Sequence, residues 1–161
     1  MTTPVEAEPR NERELVLARL VDAPAEALYR CWTDPQLIPH WFCPKPWRAE
    51  AEALDPRPGG ASRITMYGPN GEVAPNDGVF LEVVPGRKIV FTDNYTEGWE
   101  PNPDPMMTAV ITFEPQPDGR TLYVARVGHP SVEKKTQHEQ MGFQEGWGVC
   151  AEQMEALART L

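Results

Sequence analysis

Residues 143–161 read FQEGWGVCAEQMEALARTL, and the architecture of the whole chain follows from this segment. Its large apolar residues recur at steps of 4, 3, 4, 3 and 4, at Phe143, Trp147, Cys150, Met154, Leu157 and Leu161. That spacing places them on one face of an α-helix. The helical period extends back to about Ser131, so we predict one long helix over residues 131–161. An apolar stripe of this length needs a large apolar surface on which to lie.

The central part of the chain supplies that surface. Between residues 48 and 128, apolar and polar residues alternate, and turns rich in Gly, Pro and Asn divide the segment. The pattern predicts strands near residues 48–55, 61–67, 77–84, 88–94, 107–115 and 120–128. Because most of the connections are short, these strands are expected to form an antiparallel meander.

The N-terminal part contributes one more strand and two short helices. Arg13–Val21 (RELVLARLV) is rich in Leu and Val and predicts a strand. Ala25–Trp32 has apolar residues at helical spacing, and a second short helix is expected from Asp34-Pro35 to about Phe42. The polar, acidic segment Met1–Asn11 is expected to be a flexible arm.

These elements define an α+β fold. A sheet of about seven short strands curls enough to wrap around one long helix. With 161 residues and 18.1 kDa, the chain is the size of one domain, which we place at residues 12–161. Lys and Arg number 15 against 24 Asp and Glu, so the net charge of −9 repels phosphate backbones and argues against nucleic-acid binding.

Other sequence features exclude several kinds of protein. No stretch approaches the roughly 18 apolar residues of a membrane span, and the start lacks the pattern of a signal peptide. We therefore expect a cytoplasmic protein without membrane association. Cys31, Cys43 and Cys150 are odd in number and far apart, so we expect reduced, packed thiols. No motif indicates a metal ion or a cofactor.

Several local strings carry a family resemblance. They are Asp22-Ala23-Pro24 followed by Trp32-Thr33-Asp34-Pro35 and Trp41, then Arg57-Pro58-Gly59-Gly60, Gly68-Pro69-Asn70-Gly71, Gly78–Pro85 (GVFLEVVP), Phe113-Glu114-Pro115 and Gly146-Trp147. Together they resemble the family named after the activator of heat-shock-protein-90 ATPase, in its short bacterial form. The resemblance implies the helix-grip fold of START and Bet v 1-like (SRPBCC) proteins. It also implies a hydrophobic cavity and no assigned reaction.

A candidate ligand site follows from the contrast between bulky and small residues. The aromatic residues on the predicted helices face a strand whose inner positions are expected to be Ala49, Ala51 and Ala53, which leaves volume between them. Core packing alone is the competing interpretation of these aromatics. The residues expected to line an apolar or amphipathic ligand are Trp32, Trp41, Met66, Phe91, Trp99, Arg126, Phe143 and Trp147.

Strand alternation also predicts which side chains face inward. If Leu122 faces the core, Arg126 does too, and a buried guanidinium needs either a carboxylate such as Asp93 or Glu145 or an anionic group on the ligand. The same parity places further wall residues at Ile64, Met66, Leu81, Val83, Ile89, Phe91, Ile111 and Phe113. The Pro-rich segment 95–105 is either a lid or an extended surface loop.

No residue is assigned a catalytic role. His40, His129 and His138 lack metal-site spacing and are expected at the surface, and no nucleophile motif occurs. A cyclase-like or hydratase-like enzyme is the first alternative function, with Asp93, Glu145 and His129 as its acid–base candidates. A chaperone-binding ATPase activator ranks third. An edge strand or the outer side of the C-terminal helix leaves a homodimer open.

Overall fold

A computed structural model of the protein describes residues 1–161. Ten strands are present: β1 (Thr3–Pro4), β2 (Glu14–Val21), β3 (Arg48–Leu54), β4 (Ala61–Tyr67), β5 (Val73–Val84), β6 (Lys88–Thr92), β7 (Tyr95–Thr96), β8 (Glu100–Pro101), β9 (Thr108–Pro115) and β10 (Thr121–Gly128). The helices are α1 (Ala25–Thr33), a 3-10 helix (Ile38–His40), α2 (Val132–Gln140) and α3 (Phe143–Ala158).

One antiparallel sheet dominates the molecule, in the order β1-β2-β10-β9-β6-β5-β4-β3. Its seven longer strands are those expected from the sequence, and the two-residue β1 is an addition. After β2 the chain leaves the sheet through α1 and the 3-10 helix and returns at β3, on the opposite edge. The later strands then cross the sheet in order, and the last of them, β10, pairs with β2. The prediction of an α+β fold with a large antiparallel sheet and a C-terminal helix is confirmed.

The C-terminal segment forms two helices rather than the single one predicted. Ser131 caps the start of α2, where its Oγ accepts a hydrogen bond of 3.1 Å from the Lys134 amide. The break falls at Met141-Gly142, and Gly142 has a φ of 92°. A side chain is strained in that conformation, so glycine suits the turn that redirects the chain into α3.

The first residues lie against the domain, which corrects the expectation of a free arm for that part of it. β1 pairs with the end of β2, with Pro4 opposite Arg19. Thr2 is buried, and its amide donates 3.0 Å hydrogen bonds to the carboxylate of Glu152 on α3. Pairing and hydrogen bonding thus hold residues 2–4 in place, whereas the polarity of the segment had suggested mobility.

The second short helix is smaller than predicted. Residues 38–40 form one 3-10 turn, and the rest of the segment to Trp47 is irregular. Packing holds it instead of helical hydrogen bonds: Ile38 and Trp41 are buried, and the Trp41 indole Nε1 donates to the carbonyl of Cys31 at 2.9 Å. The segment therefore connects α1 to the inner side of β3.

Two bulges upset the simple alternation of the sheet. The register of β3 against β4 shifts between Ala51 and Ala53, which leaves Ala53 opposite the exposed Arg63. The register of β5 against β6 shifts between Phe80 and Glu82, so Phe80 is buried and Leu81 is exposed. An extra residue in one strand moves every later side chain to the other face. The predicted inward positions of Ala53 and Leu81 are therefore wrong.

A single apolar core lies between the concave side of the sheet and the helices. Its largest fully buried side chains include Phe80, Phe113, Phe143, Leu28 and Met154. Such close packing is the main source of stability in a domain of this size. None of the helices is both long and apolar enough to cross a lipid bilayer.

Candidate ligand-binding site

An aromatic cluster covers the middle of the sheet. Trp32 from α1 packs 5.0 Å from Trp41 and 5.5 Å from Phe91 of β6, measured between ring centroids, and Phe42 completes the group. The edge-to-face and tilted arrangements are those favoured by the ring quadrupoles. The predicted site residues Trp32, Trp41 and Phe91 are thus brought together.

A second aromatic group forms where α3 begins. Phe143 and Trp147 lie one turn apart with ring centroids 5.0 Å apart, and His138 of α2 packs against both. Phe143 is buried, whereas Trp147 is half-buried. Both pack with Met66 in or against the common core, and their contact with a ligand stays a prediction.

Side-chain hydrogen bonds fix α3 to its neighbours. The Gln153 amide donates to the carbonyls of Trp41 and Cys43 at 3.0 and 2.9 Å, and the Gln144 amide donates to Val16 of β2 at 2.8 Å. Each bond satisfies a backbone carbonyl outside the regular ladders. α3 is thereby held to β2 and to the segment after α1, and it has no extensive contact with β4, β5 or β6.

A group of apolar side chains at this uncovered part of the sheet touches the core but stays half-buried. Its members come from three strands, from the connecting segments and from α3: Phe42, Trp47, Ala51, Met66, Phe91, Met107 and Trp147. We call this group the apolar rim. Apolar groups that keep contact with water at the edge of a core are typical of the lining of a ligand site.

Two surface pockets are the best defined, and neither is the void predicted beneath Trp147. One, of about 220 Å³, lies between Arg13, Asn94 and His129. The other, of about 270 Å³, lies between Pro24, Arg87 and Arg120. Each lining contains a single hydrophobic residue, and only the first pocket touches the apolar rim, through Met107. The inner position of the Ala-bearing strand is also closely packed, since Ala49 is buried.

Arg126 faces outward, which corrects the prediction that it enters the core. In β10 the buried positions are Thr121, Tyr123, Ala125 and Val127, so Leu122 and Arg126 lie on the outer face. Arg126 forms an ion pair of 2.9 Å with Glu14 of β2. The prediction failed because it took Leu122, the larger apolar residue, as the inward one, whereas Tyr123 and small residues form the inner row.

Trp99 lies outside the group of predicted site residues. It sits between β7 and β8 with a φ of 61°, and its side chain is 53% exposed. Its ring packs against Tyr95 at 5.8 Å and over Gly59, where an added Cβ would come within 3.3 Å of the indole. Residues 95–105 contain this small hairpin instead of an extended loop, and their closure over a ligand stays a prediction.

The inward arginine of this fold is Arg19, which the sequence reasoning missed. In β2 it shares a face with Leu15, Leu17 and Val21, and in the ladder it lies opposite Tyr123. Its Nε atom is buried without a hydrogen-bond partner, and no carboxylate lies within ion-pair distance of it. Parity within Arg13–Val21 gave no clear signal for it, because Val16, Ala18 and Leu20 make the opposite row apolar as well.

Two further inner-face groups accompany Arg19. Trp32 is only 5% exposed, and its indole Nε1 is also buried without a hydrogen-bond partner. Burial raises the pKa of Tyr123 so that it stays protonated, and the smaller opposing effect on this pKa comes from the neighbouring indole of Trp32. Three proton donors therefore occur together on the inner side of β2, β10 and α1.

The imidazoles of His129 and His138 form a buried pair, so their predicted surface position is wrong. His129 Nδ1 donates to the Arg13 carbonyl at 2.8 Å, which leaves Nε2 to accept from His138 Nδ1, also at 2.8 Å. Burial, followed by the nearby His129, lowers the pKa of His138 to about 4. His138 is therefore neutral at pH 7, and the hydrogen-bonded pair holds α2 to the start of β2.

This pair predicts a loss of stability in mild acid. The pKa of His138 is about 4 in the folded protein and about 6.5 when unfolded, so below pH 6.5 protons favour the unfolded chain. We expect the free energy of unfolding to fall between pH 6.5 and pH 4 by up to about 1.4 kcal/mol per pH unit from this group. In His138→Gln, the free energy of unfolding measured with urea should fall less steeply with decreasing pH over that range.

His40 provides the matched control, because its side chain is exposed. In His40→Gln, the free energy of unfolding should change with pH as it does in the parent protein. If the parent protein and His138→Gln also show the same pH dependence, the buried pair does not set the acid response.

The acid–base candidates are not brought together. Asp93 accepts hydrogen bonds of 2.9–3.0 Å from the amides of Met106 and Met107, so it organises the turn before β9. Glu145 is exposed in the first turn of α3. His129 is engaged by Arg13 and His138.

The three thiols are free, and burial raises the pKa of Cys31 and Cys150 to about 12.

A curved antiparallel sheet around a C-terminal helix, with an apolar core between them, defines the helix-grip class of proteins. A family model described as activator of Hsp90 ATPase homolog 1-like protein matches residues 22–159. The chain therefore belongs to this family. The comparison with curated proteins gave no match.

Solved structures of bacterial proteins share the whole fold. A crystal structure of a Nitrosomonas europaea protein is 36% identical, with a TM-score of 0.87 and 97% of each chain covered. A Mycobacterium smegmatis protein is 27% identical, with a TM-score of 0.80, and the match covers 98% of this chain and 96% of the other. An Arthrobacter aurescens protein, at 23% identity and a TM-score of 0.81 over 96% and 91% of the chains, shares the fold.

Proposed function

We propose that the protein binds an apolar or amphipathic small molecule between the sheet and α3. The apolar rim is the observation that carries this proposal. Its side chains, among them Met66, Phe91 and Trp147, contact the core without being sealed from solvent. A ligand that covers them removes apolar surface from water, which is worth about 25 cal/mol per Å².

The way the helices cover the sheet supports the same position. The strands β4 to β6 have no extensive contact with α3, which lies on β2, α1 and the 3-10 helix, and the irregular segment that follows α1 lies against β3. That segment has few backbone hydrogen bonds of its own, so it opens more easily than a helix. Membership of the family adds support, since the resemblance implies an apolar ligand cavity. The ligand enters by displacing this cover.

The edges of the sheet bear on partners. β1 and β3 are the edge strands, and β3 alternates the exposed Arg48, Glu50 and Glu52 along its outer face. Charged residues on an edge oppose pairing with a second sheet. A homodimer through β3 is therefore disfavoured, and one through the outer side of α3 stays a prediction.

Filling the proposed site should weaken ligand binding. Ala51 lies on the inner face of β3 opposite Ile64, within the rim. In Ala51→Phe the added ring occupies the space a ligand needs, and overfilling an apolar site costs about 1–3 kcal/mol. Titration with decan-1-ol, followed by tryptophan fluorescence, should show a Kd raised by about tenfold or more.

Ala53→Phe is the control on the same strand, because Ala53 lies opposite Arg63, beyond the bulge. Its Kd for decan-1-ol should match that of the parent protein within about twofold. The proposal fails if neither decan-1-ol nor decanoate changes the fluorescence of the parent protein, or if both variants bind as the parent does.

A further inference from the structure

We propose that Arg19, together with Tyr123 and Trp32, binds the anionic head group of the ligand, and that the ligand is an apolar carboxylic acid. This inference rests on the proposed function. It assigns a chemical class to the ligand that the apolar rim alone does not define.

Arg19 carries a charge that no protein group neutralises. Arg126, on the outer face of β10, is by contrast paired with Glu14 at 2.9 Å. Arg19 has neither an ion pair nor a side-chain hydrogen bond, and its Nε is buried. A half-buried guanidinium without a partner is costly, so a folded protein keeps one chiefly where another molecule supplies the acceptor.

The neighbours of Arg19 are donors as well. Tyr123 is its partner in the ladder between β2 and β10, and the Tyr123 hydroxyl lies beside the unbonded Nε1 of Trp32. A guanidinium, a phenol and an indole N–H offer hydrogen atoms to a ligand, and only the phenol oxygen can accept one. This combination matches a carboxylate, whose two oxygens accept up to four hydrogen bonds.

The sequence of α3 accommodates the guanidinium. A Cβ added at Gly148 would lie 2.8 Å from Arg19 Nη2, so the absence of a side chain leaves room for the guanidinium against the helix. Gly146, two residues earlier in the same helix, has no neighbour within 4 Å of an added Cβ. Gly148 therefore helps to position Arg19, and Gly146 does not.

The geometry also fits a ligand with one charged end and one apolar end. Trp32 touches Phe91 in the aromatic cluster, and Phe91 belongs to the apolar rim. A carboxylate at Arg19 and an apolar chain along the rim thus occupy adjoining parts of one inner surface. Phosphate monoesters carry a larger charge, which the net charge of −9 on the protein disfavours.

The test compares decanoate with decan-1-ol, which share an alkyl chain and differ in charge. Isothermal titration of the parent protein should give a Kd for decanoate at least about tenfold lower than that for decan-1-ol, as expected for charge-assisted hydrogen bonds. In Arg19→Met, which keeps an unbranched apolar side chain, this preference should disappear while decan-1-ol binds as before. Arg126→Met should keep the preference, because Arg126 lies on the outer face.

A second pair of variants keeps the proposal testable if Arg19→Met unfolds. Gly148→Ala pushes only the flexible end of Arg19, so it should fold and should weaken decanoate binding several-fold, whereas Gly146→Ala should not. The indole N–H resonance of Trp32 should shift with decanoate and not with decan-1-ol. Equal affinity for the two probes in the parent protein, or an unchanged preference in Arg19→Met, overturns the inference and leaves the proposed function intact. Binding of neither probe overturns both.

Discussion

Replacing Trp41 with alanine is expected to lower the free energy of unfolding by about 3–5 kcal/mol, the usual cost of removing a buried aromatic side chain. Trp41 is 3% exposed, packs against Trp32 and Phe42, and donates a hydrogen bond to the carbonyl of Cys31. Its loss removes the main packing contact of the irregular segment that covers the inner side of β3. Urea unfolding followed by circular dichroism measures the change.

Two further variants separate the sources of this effect. Trp41→Phe keeps most of the packing and leaves the Cys31 carbonyl without its donor, so it should cost about 1–3 kcal/mol. Trp99→Ala removes an indole that is 53% exposed and should cost less than about 1 kcal/mol. Similar losses for Trp41→Ala and Trp99→Ala would contradict the burial on which the account depends.

Gly78→Ala is expected to destabilise the protein by about 3 kcal/mol, at the upper end of what overpacking costs. Gly78 lies in β5, between β4 and β6, and a Cβ there would come within 2.2 Å of the backbone carbonyl oxygen of Thr92. A backbone atom of a paired strand cannot move aside as a flexible side chain can. The variant should therefore strain β5 close to the bulge that turns Phe80 into the core. Its melting temperature should fall by more than about 5 °C.

Gly146→Ala is the control for this prediction. Gly146 lies within α3, and an added Cβ meets nothing within 4 Å. Because alanine favours the helix by about 1 kcal/mol over glycine, this variant should be stabilised. A melting temperature of Gly78→Ala equal to that of the parent protein would mean that β5 and β6 are not paired as described.

The sequence predicted the regular parts of the fold well. The alternation over residues 48–128 and the apolar stripe from Phe143 to Leu157 define the long strands and α3, because the periods of a strand and a helix differ clearly. The aromatic cluster could also be predicted from the sequence, since Trp32, Trp41 and Phe91 lie in contact. Large apolar residues at regular spacing are expected to be buried, and because the domain has one core they are buried close together.

What the sequence missed depends on single-residue shifts. The bulges at Ala51/Ala53 and at Phe80/Glu82 leave no simple mark in the pattern, yet each reverses the face of the following residues. The sequence did not separate Arg126 from Arg19, because β2 is buried on both faces over residues 14–18 and the regular alternation of β10 was assigned to the wrong face. The buried histidine pair joins residues from two elements, which no local pattern reveals.

The most direct measurement of ligand binding at the apolar rim uses the methyl groups of methionine. Met66 and Met107 belong to the rim, Met154 is fully buried, and Met141 is 70% exposed on the turn before α3. In the methyl spectrum of protein carrying ¹³C-labelled methionine, titration with decanoate should shift the Met66 and Met107 signals and leave that of Met141 in place. Signals of Met66 and Met107 that stay fixed at saturating decanoate, or shifts confined to Met141, would contradict a ligand site between the sheet and α3.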